Sequence, residues 1–374
     1  MIQVDVLIYG GGIAGLWALS LLRHAGYRTL LLENNALGAG QTIQSQGIIH
    51  GGVKYAIPGV RDLDATAEIR NMPAHWKNNL QGKDTPDLSS AIVHSKECLF
   101  WIPTEDSTRF LDQAGLRLLN TRPRSLPKNE WPDILSGSAS VYAVAEPVVD
   151  TGSLLKSLLA ANHGYVRKYE GDLPRVDAKL TVLAAGKGNA GLLEHFGFDP
   201  NLMQLRPLCM ILARGALPRL YGHCIERGKT TLTITSHPWR DEVVWQVGGQ
   251  IAEKYANETD YARVRRGAVE ALKSHLPRLD FDRLQIATYR ALRAEGTTAG
   301  THRPSGVQVV QVAPNIIAAW PTKLALAPVL AAEIVKAASA IARPSEAKDL
   351  NVSEWPTPPI APYPWDQAQW FSVA

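Results

Sequence analysis

The sequence predicts an α/β domain built on a parallel sheet and interrupted by a second, α+β domain with a mostly antiparallel sheet. Three observations predict it. An apolar run, a glycine turn and a helical pattern follow one another at the start; short strand-like pieces fill the middle; one long apolar helical stretch stands late in the chain. A length of 374 residues suits about two domains. The expected division gives 1–75, 145–205 and 300–345 to the first domain, 76–144 and 206–299 to the second, and 346–374 to a proline-rich tail.

Val4 to Tyr9 is a β-branched, apolar run of the kind buried on both faces of a parallel sheet. "GGGIAG" follows, and from Ile13 to Ala25 the residues Leu16, Trp17, Leu19 and Leu22 recur at helical spacing. Thr29 to Leu32 is a second buried strand that ends at Glu33, which completes a βαβ unit. In the middle, "CLFWIP", "LCMILARG", "TLTITSHP" and "VVWQVGG" are strand-like and separated by Pro, Gly and polar turns. Helices are expected over Thr151 to Asn162, capped by Asp150 or Thr151, and over Tyr261 to His275 as an exposed basic helix. Tyr165 to Tyr169 and Leu180 to Ala184 are further strand candidates. From Pro356 the tail carries five prolines in nine residues and is expected to wrap the surface without regular structure.

Hydrophobic residues make up 45% of the chain and charged residues 20%, enough to bury a full core. The net charge of +4 is scattered and not gathered into a block, which argues against a nucleic-acid partner. Cys98, Cys209 and Cys224 are odd in number and share no metal-ligand spacing, so a reduced cytoplasmic protein without disulfides or a metal centre is expected. No signal peptide is read at the start, where the chain enters a strand directly. Leu324 to Ala342 carries Pro328, Glu333 and Lys336 and reads as a helix buried against a sheet, not a membrane span. Peripheral contact with the inner face of a membrane stays open.

Gly10, Gly12 and Gly15 form G-x-G-x-x-G in its proper place, after a strand and opening a helix. The first glycine makes the tight turn, the second lets a pyrophosphate approach the backbone, and the third lets helix and strand pack closely. The helix N-terminus supplies amide donors and partial positive charge. Glu33, eighteen residues beyond Gly15, can accept from ribose hydroxyls and disfavours a 2′-phosphate. A Rossmann-like dinucleotide site follows. Gly186, Gly188 and Gly191 make a second match, but no acid-terminated strand follows it. It reads as a crossing where a strand meets the same nucleotide; a separate nicotinamide site is the competing reading.

"DVLIYGGGIAGLWAL" with Glu33, "SQGIIHGG", "VVDTGSLLKSLL", "LTVLAAG" and "PNIIAAWPTKLALAPVLAAEI" together resemble the D-amino-acid-oxidase superfamily of FAD-dependent oxidoreductases over most of the chain. "SQGIIHGGVKY" is similar to a segment of glycerol-3-phosphate dehydrogenases, whereas "YAIPG" and "ALRAEG" look more like L-2-hydroxyglutarate dehydrogenases. The chain departs from the family pattern at Asn34-Asn35, where a basic residue is usual, and at Trp320-Pro321, where Gly-Gly is usual. The segment from Tyr165 to Ala185 is also short for the usual three-stranded meander.

The resemblance implies FAD as cofactor, held by Gly10, Gly12, Ile13, Ala14 and Gly15 at the turn and by Glu33 and Asn34 at the second strand. It adds Thr42, Ser45, Gln46 and Gly47 along the pyrophosphate and ring, Ala185 and Gly186 at the crossing, and Thr322, Lys323 and Leu324 at the start of the last helix. That helix would point its amides at charge on the reduced ring. Gly51 and Gly52 would leave room for the ring, with His50, Lys54 and Tyr55 on the substrate side. Lys54, Arg293, Arg303 and Lys323 would hold an anionic substrate, with Arg290 a rival to Arg293 in register. His50 would take a proton while a hydride passes to flavin N5.

The implied function is a dehydrogenase or oxidase of a small anionic 2-hydroxy acid, polyol phosphate or amino acid. Its electron acceptor, whether oxygen, a quinone or a protein, is left open. A flavin-bound scaffold or partner subunit without turnover, and an NAD-linked dehydrogenase, are the rival readings.

Overall fold

The computed structural model describes residues 2–52, 69–105, 123–298, 304, 306–345, 350, 352 and 354–373. Strand β1 (Ile2–Tyr9), helix α1 (Ile13–His24) and strand β2 (Thr29–Glu33) form a parallel βαβ unit in which Val6 lies opposite Thr29 and Tyr9 opposite Leu32. On its other edge β1 pairs in parallel with Val176–Leu183. Among the described residues this sheet has six strands, in the order 308–313, 316–320, 176–183, β1, β2, 166–168. Only the first two of these pair antiparallel.

Alternation along β1 explains the layers. Val6 and Ile8 enter one core with Leu16, Trp17 and Leu19 of α1, while Leu7 and Tyr9 enter another with Leu193 and Trp320. Both faces are covered, as a parallel sheet requires. Leu16, Trp17, Leu19 and Leu22 are fully buried, each worth about 2–3 kcal/mol of transfer free energy. The helix Ala327–Ile341 lies on the same face, and its Leu330, Ala331 and Ile334 join the α1 core. Leu324–Ile341 is long and apolar enough to cross a bilayer by length and composition alone. In the fold, a face of this segment is buried. The α-helix itself begins at Ala327 after a 3₁₀ turn over Leu324–Leu326, with Pro328 in its first turn, where a missing amide costs nothing.

The second sheet has nine strands among the described residues, in the order 371–372, 285–296, 203–215, 242–248, 229–239, 222–226, 98–102, 140–144, 124–125. Its neighbours are antiparallel apart from the parallel pair 222–226 and 98–102. All four strand-like pieces of the middle segment lie in it. The helix Tyr261–His275, whose cap Asp260 accepts from the amides of Ala262 and Arg263, covers one face. It is not exposed all round: Val264, Ala268 and Leu272 pack on Cys209, Ile211 and Trp245. On the first sheet's side, Asp150 caps Thr151–Ala161 by accepting from Ser153 N at 2.7 Å.

Two boundaries move. The strand expected over Leu180 to Ala184 runs Val176–Leu183, and the one expected over Tyr165 to Tyr169 is Val166–Lys168. The tail departs further from expectation. Its prolines give way to a 3₁₀ turn at Pro364–Asp366, and Phe371–Ser372 pairs antiparallel with Gln285 and Ile286. Beyond the proline run the backbone recovers the amides that an edge strand can use.

Candidate active site

Walls from both sheets enclose a cavity of about 500 Å³. Gly10, Gly12, Ile13, Ala14, Glu33 and Thr42 line it from the βαβ unit. Gly10 has φ +115°, and a Cβ there would stand 2.5 Å from Ala185 Cα. Only glycine meets both demands. Glu33 is drawn against the turn, with Oε2 accepting from the Gly11 amide at 2.7 Å and Oε1 from the Asn35 amide at 2.9 Å. Thr42 Oγ1 accepts from the Ile13 amide at 3.0 Å, which leaves its hydroxyl proton to donate elsewhere.

Ala185 and Gly186 line the same cavity, held by Asn189, whose Oδ1 accepts from Ala185 N at 2.8 Å and whose Nδ2 donates to Leu183 O at 3.0 Å. Gly188 and Gly191 do not line it.

Three expected cofactor contacts lie off the wall. Gly15 is where α1 meets β1: a Cβ there would stand 2.0 Å from the Gly10 carbonyl oxygen. Gly47, at φ +72°, faces the Val149 carbonyl in the same way and accepts from the Val149 amide at 2.9 Å, so it fastens the loop. Asn34 is exposed. Ser45 and Gln46 do line the cavity. Gln46 Nε2 donates to the carbonyls of Thr233 at 3.0 Å and Gln246 at 2.8 Å, and Gln246 Nε2 donates back to Gln44 O at 2.7 Å. The loop from the first sheet is thereby stitched to the second.

His50 also lines the cavity. Its Nδ1 is 3.2 Å from Oε2 of Glu146, which is 1% exposed, and Glu146 Oε1 accepts from the Gly51 amide at 2.6 Å. The His223 ring lies 5.5 Å from that of His50, with its Nδ1 2.9 Å from Thr233 Oγ1. Lys54, Tyr55 and Arg303 lie outside the described residues.

Arg290 and Arg293 both border the cavity, and strand parity separates them. Arg290 pairs with Cys209, on the face covered by the Tyr261–His275 helix. Its guanidinium donates to the carbonyls of Ala256 and Glu258 and, at 3.0 Å, to Tyr261 Oη. Arg293 falls on the opposite face, with Ala291 and Met210, and its Nη1 is 3.7 Å from Glu253 Oε1. Trp320, Thr322, Lys323 and Leu324 complete the wall. Thr322 has φ +58°, a strained conformation for a β-branched residue. Among the described residues Thr322 Oγ1 and Trp320 Nε1 are buried without a hydrogen-bond partner. A polar ligand in the cavity would relieve such orphans.

A family model described as FAD dependent oxidoreductase (DAO) matches residues 5–334. The probable FAD-dependent oxidoreductase PA4991 of Pseudomonas aeruginosa is 34% identical over 389 residues, covering 98% of each chain. This chain belongs to the FAD-dependent oxidoreductase family. The crystal structure of PA4991 matches with a TM-score of 0.83, at 33% identity over 98% of both chains. More distantly, glycine oxidase from Geobacillus kaustophilus matches with a TM-score of 0.63 at 15% identity, covering 94% of this chain and all of that one. L-alpha-glycerophosphate oxidase from Mycoplasma pneumoniae, with FAD bound, matches with a TM-score of 0.64 at 16% identity, over 92% and 97% of the two chains.

FAD is therefore the cofactor of this oxidoreductase, and its own residues fit that group. The glycine cradle would admit a pyrophosphate, Glu33 would accept from ribose hydroxyls, and Thr42 and Thr322 would offer hydroxyl protons. Behind the cavity wall of the flavoprotein stand residues that sequence reasoning missed, Glu146, His223, Asn189 and Gln246, which contact His50, Ala185 and Gln44. Glu146 had a signal, a lone acid inside the apolar run "VYAVAEPVV", since an acid buried there needs a partner. His223 sits in an ordinary strand pattern and had none.

Proposed function

We propose that the protein is a dehydrogenase or oxidase of a small anionic substrate bearing a C–H bond next to a hydroxyl or amine: a 2-hydroxy acid, a polyol phosphate or an amino acid. One observation carries the reading. His50, backed by a buried carboxylate, lines the same cavity as Arg293, Lys323 and the nucleotide turn.

FAD, when bound, supplies the two-electron acceptor. The chain's own residues do the rest. Arg293 offers a planar fork to a carboxylate or phosphate, and Lys323 a compact positive charge. Arg290 has its donors on backbone carbonyls and serves the architecture of the second sheet. His50 takes the heteroatom proton, a role to which an imidazole base is suited. The 3₁₀ turn at Leu324–Leu326 and the helix behind it direct amide donors and the positive end of the helix dipole at the cavity, favouring negative charge there. The buried cysteines Cys98, Cys209 and Cys224, none in a disulfide among the described residues, support a reducing cytoplasmic setting.

The test is anaerobic mixing of the FAD-loaded protein with panels of 2-hydroxy acids, polyol phosphates and amino acids. At least one member is expected to bleach the visible flavin absorbance. Absorbance unmoved by every member of all three panels would overturn the reading.

A further inference from the structure

We propose that Glu146 is a positioning residue for His50: it accepts the Nδ1 hydrogen and so leaves Nε2 as the nitrogen that takes the substrate proton. The inference rests on the oxidoreductase reading above only for the use to which Nε2 is put; the ring's tautomer stands on geometry alone.

Backbone pairing fixes the carboxylate. The segment carrying Glu146 runs beside the segment carrying His50, with Val149 N donating to Gly47 O at 2.9 Å and Ile49 N donating to Pro147 O at 2.8 Å. Ile48 and Val148 form an antiparallel bridge between them. At the end of this short ladder the Gly51 amide donates to Glu146 Oε1 at 2.6 Å. That bond orients the carboxylate and leaves Oε2 facing His50 Nδ1 at 3.2 Å. A carboxylate only accepts, so the neutral ring must place its hydrogen on Nδ1. The His223 ring lies 5.5 Å from the His50 ring, with its own Nδ1 engaged with Thr233 Oγ1, and Arg293 and Lys323 line the same cavity.

The chemistry follows from that tautomer. The substrate O–H or N–H bond breaks and its proton passes to Nε2. The electron pair left on the heteroatom would form the new C=O or C=N bond, with FAD, when bound, supplying the two-electron acceptor. The imidazolium so formed lies against the Glu146 carboxylate, in a pocket where a buried opposite charge counts for more than it would in water.

Glu146→Gln makes a sharp test, because the shape is kept while the hydrogen-bond logic inverts. The Gly51 amide still demands an acceptor, so the Gln oxygen turns to it and the Gln amide donates to His50 Nδ1, driving the ring hydrogen to Nε2. Nitrogen NMR of ¹⁵N-histidine-labelled, FAD-loaded protein reads the tautomer directly, with His50→Gln assigning the signal. Wild type is expected as the Nδ1–H form and Glu146→Gln as the Nε2–H form, with flavin absorbance retained. With any substrate that bleaches the flavin, kcat is expected to fall at least a hundredfold with little change in KM, in the manner of tautomer-inverting changes elsewhere, and Glu146→Asp to restore part of it. A wild-type ring found as Nε2–H, or a Glu146→Gln ring unchanged, overturns the proposal. The wild-type measurement decides it alone if the variant fails to fold. Since the tautomer needs no substrate, its outcome is separate from that of the bleaching test.

Discussion

Gly10 opens one and Gly191 closes the other of two motifs that look alike in the sequence, and their surroundings differ completely. At Gly10 a side chain would meet the Ala185 backbone at 2.5 Å with φ at +115°; around Gly191 nothing stands within 4 Å. Gly10→Ala is expected to abolish FAD retention, read as loss of the visible spectrum after gel filtration, because backbone in the way cannot rotate aside. Gly191→Ala is expected to keep full flavin content. Glu33 was legible because its partner turn lies only 22 residues away and the spacing is a local property. Glu146 was not legible as His50's partner, since 96 residues separate them and no periodicity links them. The choice between Arg290 and Arg293 was open for a related reason: strand parity decides which face of the sheet each takes, and parity needs the register with 203–215.

Among the elements, the strand Lys229–Trp239 carries a buried titrating group away from the cavity's chemistry. His237 is 2% exposed, lies against Trp365 with ring centroids 4.4 Å apart, and has Nε2 3.1 Å from Thr235 Oγ1. Burial, with His94 adding to it, pushes its pKa down to about 3 from an ordinary 6.5, against the opposing pull of Asp150 and Gln246. The native ring is neutral while the unfolded one takes up a proton, so stability present above pH 6.5 is lost as pH falls towards 3. The slope reaches about 1.4 kcal/mol per pH unit. Burial alone would raise the Asp150 carboxyl, but the His94 ring 3.5 Å away and donors from Ser153 and Tyr363 hold it well below its ordinary 3.8, so its contribution is lost only as pH falls below 3.8. Thermal unfolding at about pH 6.5 and about pH 4.5 should therefore show a drop in Tm on acidification in wild type, and a clearly smaller drop in His237→Gln. Equal drops would remove His237 as the cause.

Over the whole molecule, the tail binds the two sheets together. Leu37 N donates to Pro359 O at 2.8 Å and Ala361 N donates to Leu37 O at 3.0 Å, beside the nucleotide loop. Tyr363 Oη donates to Asp150, Trp365 is buried against His237, and Phe371–Ser372 extends the second sheet. Deleting residues 357–374 should lower Tm by at least about 2 °C in differential scanning calorimetry, given about 2–3 kcal/mol for the Trp365 burial alone and about 1.3 °C per kcal/mol in a chain of 374 residues. A Tm within a degree of wild type would show that the strap adds little.

By itself the sequence determined what short-range physics encodes: the glycine turn and its acid, the periods that make α1 a helix and β1 a strand buried on both faces, and four strands of the mostly antiparallel second sheet. Each rests on spacing within a few dozen residues, where chain geometry leaves few alternatives. Only the tertiary structure decided which far-apart groups share the cavity. It put Glu146 behind His50, turned Arg290 to the covered face of the second sheet and Arg293 to the other, brought Gly10 and Gly12 of one glycine motif and only Gly186 of the other to the cavity wall, and laid the proline tail across both sheets. Those outcomes depend on register and packing between segments whose separation along the chain carries no signal of their meeting.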